Sequence, residues 1–153
     1  MILGSLSQFH NLKYLELESW VSRHCVLAIM HLLNVSHQVE IVFLQIMLIS
    51  RSLTLDKDKG LLTSANMEEC SKLVLSNGCM FLHLKVFEID HVIGRVNESV
   101  LLQMVLNYAV VLKKMLITFK HYAQPNEEEG QKIMRKMLLK VPRASSNVAI
   151  LFS

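Results

Sequence analysis

Apolar positions along this chain follow two alternating rhythms. Leu12, Leu15 and Leu17 form a triplet with the spacing LxxLxL, and Val39, Val42 and Leu44 repeat it 27 residues later. Leu84, Phe87 and Ile89 show the same spacing, and Leu112, Met115 and Ile117 repeat that 28 residues on. Residues two apart in a strand share a face, so each triplet predicts a short strand with one apolar side. Between the triplets the rhythm changes: Val26, Met30 and Leu33, then Val100, Leu101, Met104, Val105 and Tyr108, recur at helical spacing. The pattern therefore predicts strand, loop and helix in units of nearly constant length.

One strand and one helix within roughly 20–29 residues is the signature of a leucine-rich repeat. A unit that small cannot bury its apolar face alone and must stack on its own copies. The expected fold is α/β, a short leucine-rich-repeat solenoid. The third triplet begins 45 residues after Val39, so residues 50–80 read as an insertion or a degenerate repeat. Within them SRSLTLDKDKG (50–60) predicts a surface loop, and Asn66 with Glu69 predicts a capped helix over 67–76, stopped by Asn77 and Gly78. The chain thus divides into repeats at 1–49, the insertion at 50–80, and a unit at 81–153 that continues the stack.

The C-terminal part carries its own punctuation. Pro125 and Asn126 interrupt the pattern, and Asn126 with Glu129 predicts a capping box. Glu127 and Glu128 near the start of that helix, and Lys136 and Lys140 near its end, match the helix dipole. Gly130 inside it costs about 1 kcal/mol relative to alanine. Ile133, Met137 and either Val141 or Leu138 make the expected buried stripe, Pro142 ends the helix, and NVAILFS predicts a last strand at the sheet edge.

Composition agrees with a continuous interior: 52% of the 153 residues are hydrophobic and 19% are charged, with a formal net charge of +3. Ile41 to Ser50 is the most apolar run, and it is far shorter than the ~20 residues a spanning helix needs, so no membrane is expected. The N-terminus lacks the basic residues of a signal peptide. Three cysteines, Cys25, Cys70 and Cys79, make no even-numbered framework, which points to the cytosol or nucleus.

Candidate chemistry changes this picture little. His10, His24, His31 and His37 are scattered, and no zinc spacing joins them to a cysteine. No nucleophile elbow, phosphate loop or zinc-protease motif occurs, so no catalytic residue, metal or cofactor is assigned and the chain is not expected to be an enzyme. Lys132, Arg135, Lys136, Lys140 and Arg143 offer a basic stripe for nucleic acid, but Glu127, Glu128 and Glu129 share the helix and no aromatic residue interleaves the cations. A solvated helix face is the better account. The outward strand positions remain. Alternation sends Tyr14, Glu16 and Glu18 outward from the first strand, Ile41 and Phe43 from the second, Val86, Glu88 and Asp90 from the third, and Lys114, Leu116 and Thr118 from the next. Their carboxylates and apolar side chains make a candidate partner-binding surface, or simply an exposed sheet kept soluble by charge. Ile41 and Phe43 are too apolar for open solvent, and the expectation is either that the insertion at 50–80 covers them or that they form an exposed binding patch.

The strings NLKYLELESW, HLKVFEID, NYAVVLKKMLITF and EEGQKIMRKMLLKVPRASSNVAILFS, in that order, resemble plant F-box proteins with leucine-rich repeats and a C-terminal FBD domain. The FBD-like part covers 81–153 and the preceding repeats 1–49. The resemblance implies a solenoid closed by an FBD-like helix and strand. It also implies a non-catalytic substrate-recognition arm of a cullin-type ubiquitin ligase, binding an unidentified target protein. Met1 already lies inside a repeat and no F-box segment precedes it, so the expectation is a recognition arm without its adaptor-docking bundle. The alternatives are a nucleic-acid module built on the basic C-terminal helix, and a truncated, non-functional fragment.

Overall fold

The computed structural model describes residues 11–19, 28–33, 36, 38–46, 72, 81–121 and 124–153. Five strands form one parallel sheet in chain order: β1 (Tyr14–Ser19), β2 (Ile41–Ile46), β3 (Val86–Val92), β4 (Lys114–Phe119) and β5 (Ala149–Phe152). Helix α1 (Val96–Tyr108) connects β3 to β4, α2 (Pro125–Lys140) connects β4 to β5, and residues 28–33 are helical between β1 and β2. The register pairs Tyr14 with Ile41, Ile41 with Val86, Val86 with Lys114 and Lys114 with Ala149. The offsets between the first and last triplet pairs, 27 and 28, are thus the registers of β1 on β2 and of β3 on β4.

The two sheet faces differ. Val42, Leu44 and Ile46, then Phe87, Ile89 and Val92, then Met115, Ile117 and Phe119 are all buried. They share one core with Ile29, Met30 and Leu33 of the helical stretch at 28–33, with α1, and with Met134 and Leu138 of α2. Leu12, Leu15 and Leu17 pack against that core while Tyr14, Glu16 and Glu18 are exposed, which is the expected division of the first strand. Burying a leucine or phenylalanine side chain contributes about 1.5–3 kcal/mol, so these inward rows are the main stabilising element of the sheet.

Helix α1 is more deeply enclosed than its spacing predicts. Leu102 and Leu106 are buried along with Val100, Leu101, Met104 and Val105, so only a narrow strip reaches solvent. A helix apolar nearly all round belongs inside a core rather than on its surface. Glu98, in its first turn, is buried as well: Oε1 accepts the N–H groups of Gly94 (2.8 Å) and Arg95 (2.6 Å), and Oε2 accepts that of Ile93 (3.1 Å). One side chain therefore satisfies three otherwise orphaned donors and fixes the loop between β3 and α1.

Helix α2 departs from the expected start. Its N-cap is Gln124, Pro125 is the first helical residue, and the Gln124 N–H donates to Glu127 at 3.2 Å. Asn126 and Glu129 are therefore not the cap. Proline at the first helical position loses no hydrogen bond, so it opens the helix instead of interrupting the chain. The buried residues are Met134 and Leu138, with Met137 and Val141 half-buried, while Ile133 is 59% exposed. The phase is set by Gly130, whose backbone lies directly against Gly94: a Cβ on Gly130 would stand 2.6 Å from the Gly94 carbonyl oxygen. The glycine is needed for that contact and is not an idle helix weakness. The expected loop at 50–60 and the helix over 67–76 lie outside the described residues except for Lys72, which is helical.

Candidate recognition surface

The outward positions come together as register rows across one face. Tyr14, Ile41, Val86, Lys114 and Ala149 form the first row, and Glu16, Phe43, Glu88, Leu116 and Leu151 the second. Glu18, Gln45 and Asp90 form the third, and Thr118 stands opposite the irregularity that follows Asp90. All eleven expected residues are thus on this face. Ala149 and Leu151 of β5 and Gln45 of β2 belong with them. Period-two alternation carried two residues beyond Phe43, and applied to the last strand, would have named all three.

The face is half apolar. Tyr14, Ile41 and Leu151 are exposed, and Phe43, Val86 and Leu116 are half-buried by their neighbours. No described helix covers it, because the helical residues pack on the opposite side of the sheet. Just ahead of the strands, Glu40 is held between Lys13 (Nζ to Oε2, 3.6 Å) and Lys85 (Nζ to Oε1, 2.6 Å). The Lys85 hydrogen bond and charge, reinforced by Lys13, hold the Glu40 carboxyl below its ordinary range. Lys113 and Lys114 are exposed beside them. Toward the strand ends lie Glu16, Glu18, Glu88 and Asp90. Asp90 meets its neighbour His91, whose Nδ1 is 3.3 Å away. Glu16, Glu18 and Glu88 make no ion pair among the described residues.

His91 marks the end of this face. It adopts φ 61°, and the register between β3 and β4 shifts between Ile89 and Val92. Two residues, Asp90 and His91, oppose Thr118 there, which is a bulge, and histidine is among the side chains that tolerate this backbone region. Its N–H donates to Asp90 Oδ1 at 2.8 Å, so the turn also orients that carboxylate. Nothing in the local hydrophobic pattern signals the bulge.

One cation of the basic stripe, Arg135, is engaged within the fold. The Arg135 guanidinium lies 4.7 Å from the Phe119 ring centroid and 5.7 Å from that of Phe152, rings that stack at 6.0 Å. This contact fastens α2 to the ends of β4 and β5 through cation–π attraction. Lys120 lies 3.3 Å from Glu127. Lys132, Lys136 and Lys140 remain exposed on the helix.

Among the described residues no group of three histidine, cysteine, aspartate or glutamate side chains is arranged to hold a metal ion. His10, His24, His37, Cys25, Cys70 and Cys79 lie outside those residues, as do Trp20 and Tyr122. No described helix is long and apolar enough to cross a membrane. No protein-family model, curated protein or solved structure matches the chain.

Proposed function

We propose that the chain is a protein-recognition module of leucine-rich-repeat type, acting as the target-binding arm of an F-box-like receptor and performing no chemistry of its own. One observation carries this reading: the outward residues of successive parallel strands lie in register on a single face that no described helix covers, seven of them apolar or aromatic. Strands stacked in chain order with helices on the other side are what a solenoid of strand–helix units requires. The offsets of 27 and 28 residues for β1–β2 and β3–β4, beside 45 and 35 for the other two pairs, and the family-like strings of the C-terminal half support the same assignment. An apolar strip edged by charge is the composition of a protein-binding surface, with a desolvated centre and a polar rim.

Affinity purification of the chain from plant cells, beside a Phe43→Asp/Leu116→Asp variant, tests the reading. The wild-type chain is expected to retain specific proteins that the variant loses, with circular dichroism unchanged between them. A cullin and its Skp-type adaptor among them would tie the chain to a ligase, whether directly or through an intact receptor. Identical recovery with both chains would refute the use of this face.

A further inference from the structure

We infer that the open face takes an extended, basic segment of a partner protein, with an apolar residue followed at alternate positions by two lysines or arginines. This rests on the recognition reading above and specifies what the face recognises.

The argument comes from three rows across β1, β2 and β3. At the strand lead-ins, Lys13, Glu40 and Lys85 make a complete row: a central carboxylate flanked by cations on the two neighbouring strands, within 3.6 and 2.6 Å. Side chains just ahead of three adjacent strands therefore pair across neighbouring chains. In the second outward row the charges are inverted, and no described cation pairs with its centre. Glu16 and Glu88 flank Phe43, and neither carboxylate has a counter-ion among the described residues. Strands lie about 4.8 Å apart, so the two carboxylates straddle the ring from backbones about 10 Å apart. A cation laid over Phe43 would gain the ring face and both carboxylates together. The molecule already uses the first half of that arrangement, where Arg135 lies over Phe119.

The next row repeats the theme, with Glu18 and Asp90 flanking Gln45. The preceding row, Tyr14, Ile41 and Val86, is apolar. Each row is two residues from the next, about 7 Å along the strand, which is also the distance between same-side residues of an extended peptide. A peptide lying over β2 thus meets an apolar row, a carboxylate-flanked aromatic row and a carboxylate-flanked amide row in step. An acidic segment or a nucleic-acid backbone would meet uncompensated repulsion at the last two.

Fluorescence anisotropy of the full chain tests this with three labelled dodecapeptides: one with central Leu-Thr-Lys-Thr-Lys, an isomer with adjacent lysines, and a twin with glutamate for lysine. The alternate-lysine peptide is expected to bind at least about tenfold more tightly than either control, with affinity falling as salt rises. Glu16→Lys, at an exposed position, and Glu88→Lys should each weaken it about tenfold or more, while Lys132→Ala, exposed on α2, should not. Equal binding of the isomers, preference for the glutamate twin, indifference to both charge reversals, or no binding of any peptide would overturn the inference. If that occurs while the Phe43→Asp/Leu116→Asp variant still loses its co-purifying proteins, the recognition reading survives and only the basic specificity fails.

Discussion

Replacing Gly130 by alanine sets two known effects against each other. In an exposed helix interior the change stabilises by about 1 kcal/mol, because alanine restricts the unfolded chain and favours helix. Here the added methyl would stand 2.6 Å from the Gly94 carbonyl oxygen and 3.4 Å from its carbonyl carbon. Both sides of the contact are backbone, so no rotamer change relieves it. The opposing loop is also poorly able to retreat, since the Gly94 and Arg95 N–H groups are bonded to Glu98 at 2.8 and 2.6 Å and Gly94 itself holds φ 98°. Overpacking costs about 1–3 kcal/mol, and backbone on backbone belongs at the upper end. Subtracting the propensity gain leaves a net loss of about 2 kcal/mol. Urea unfolding followed by circular dichroism should show a lower midpoint with an unchanged slope. Lys132→Ala, exposed two residues on, should stay within about 0.5 kcal/mol of the parent. A Gly130→Ala chain stabilised by its helix propensity would refute the close approach of α2 to the loop between β3 and α1.

Further outcomes follow from the charges and the strand faces. Burial pushes the Glu98 carboxyl up, outweighing the N–H groups of Arg95, Ile93 and Gly94 and the Arg95 charge. A carboxyl raised in the fold favours folding fully below its unfolded value, about 4.3, and that contribution is lost as pH rises through the folded value. The stability of the parent relative to Glu98→Gln should therefore decline from acidic to neutral pH, and a difference that grows instead would show the charged form to be favoured. Glu40 behaves oppositely. Its lowered carboxyl contributes above the unfolded value and loses that contribution as acid protonates it, so the advantage of the parent over Glu40→Gln should vanish at low pH and shrink in salt. Leu15→Asp should lose the packing of β1 on the core, while Glu16→Ala should leave the unfolding midpoint nearly unchanged; equal damage would contradict the assignment of the two faces.

The sheet was legible in the sequence because its information is local. Leu15 and Leu17, or Phe87 and Ile89, declare a buried face within one strand, and the distance between triplets equals the register offset when strands stack in chain order. The outward residues follow from the same alternation, which is why the candidate surface was recoverable from spacing. What escaped depends on contacts between distant segments. Gly94 and Gly130 are 36 residues apart, and neither pattern indicates that one presses on the other. The phase of α2 goes with that contact, so the spacing points Ile133 inward where Met134 is buried instead. The burial of Glu98 was hidden because its three partners are backbone groups, which leave no mark in side-chain patterning. The bulge at His91 breaks the strict alternation of β3 at one residue, too short an interruption to register as a period.

The central claim is that the sheet face opposite the described helices, and not α2, receives a protein partner. Hydroxyl-radical footprinting of the chain, alone and in its purified complex, measures this directly. The account predicts that Tyr14, Phe43, Leu116 and Leu151 become protected while Ile133 and Leu139, both 59% exposed on α2, keep their reactivity. Protection of Ile133 and Leu139 with the sheet face left reactive would contradict it.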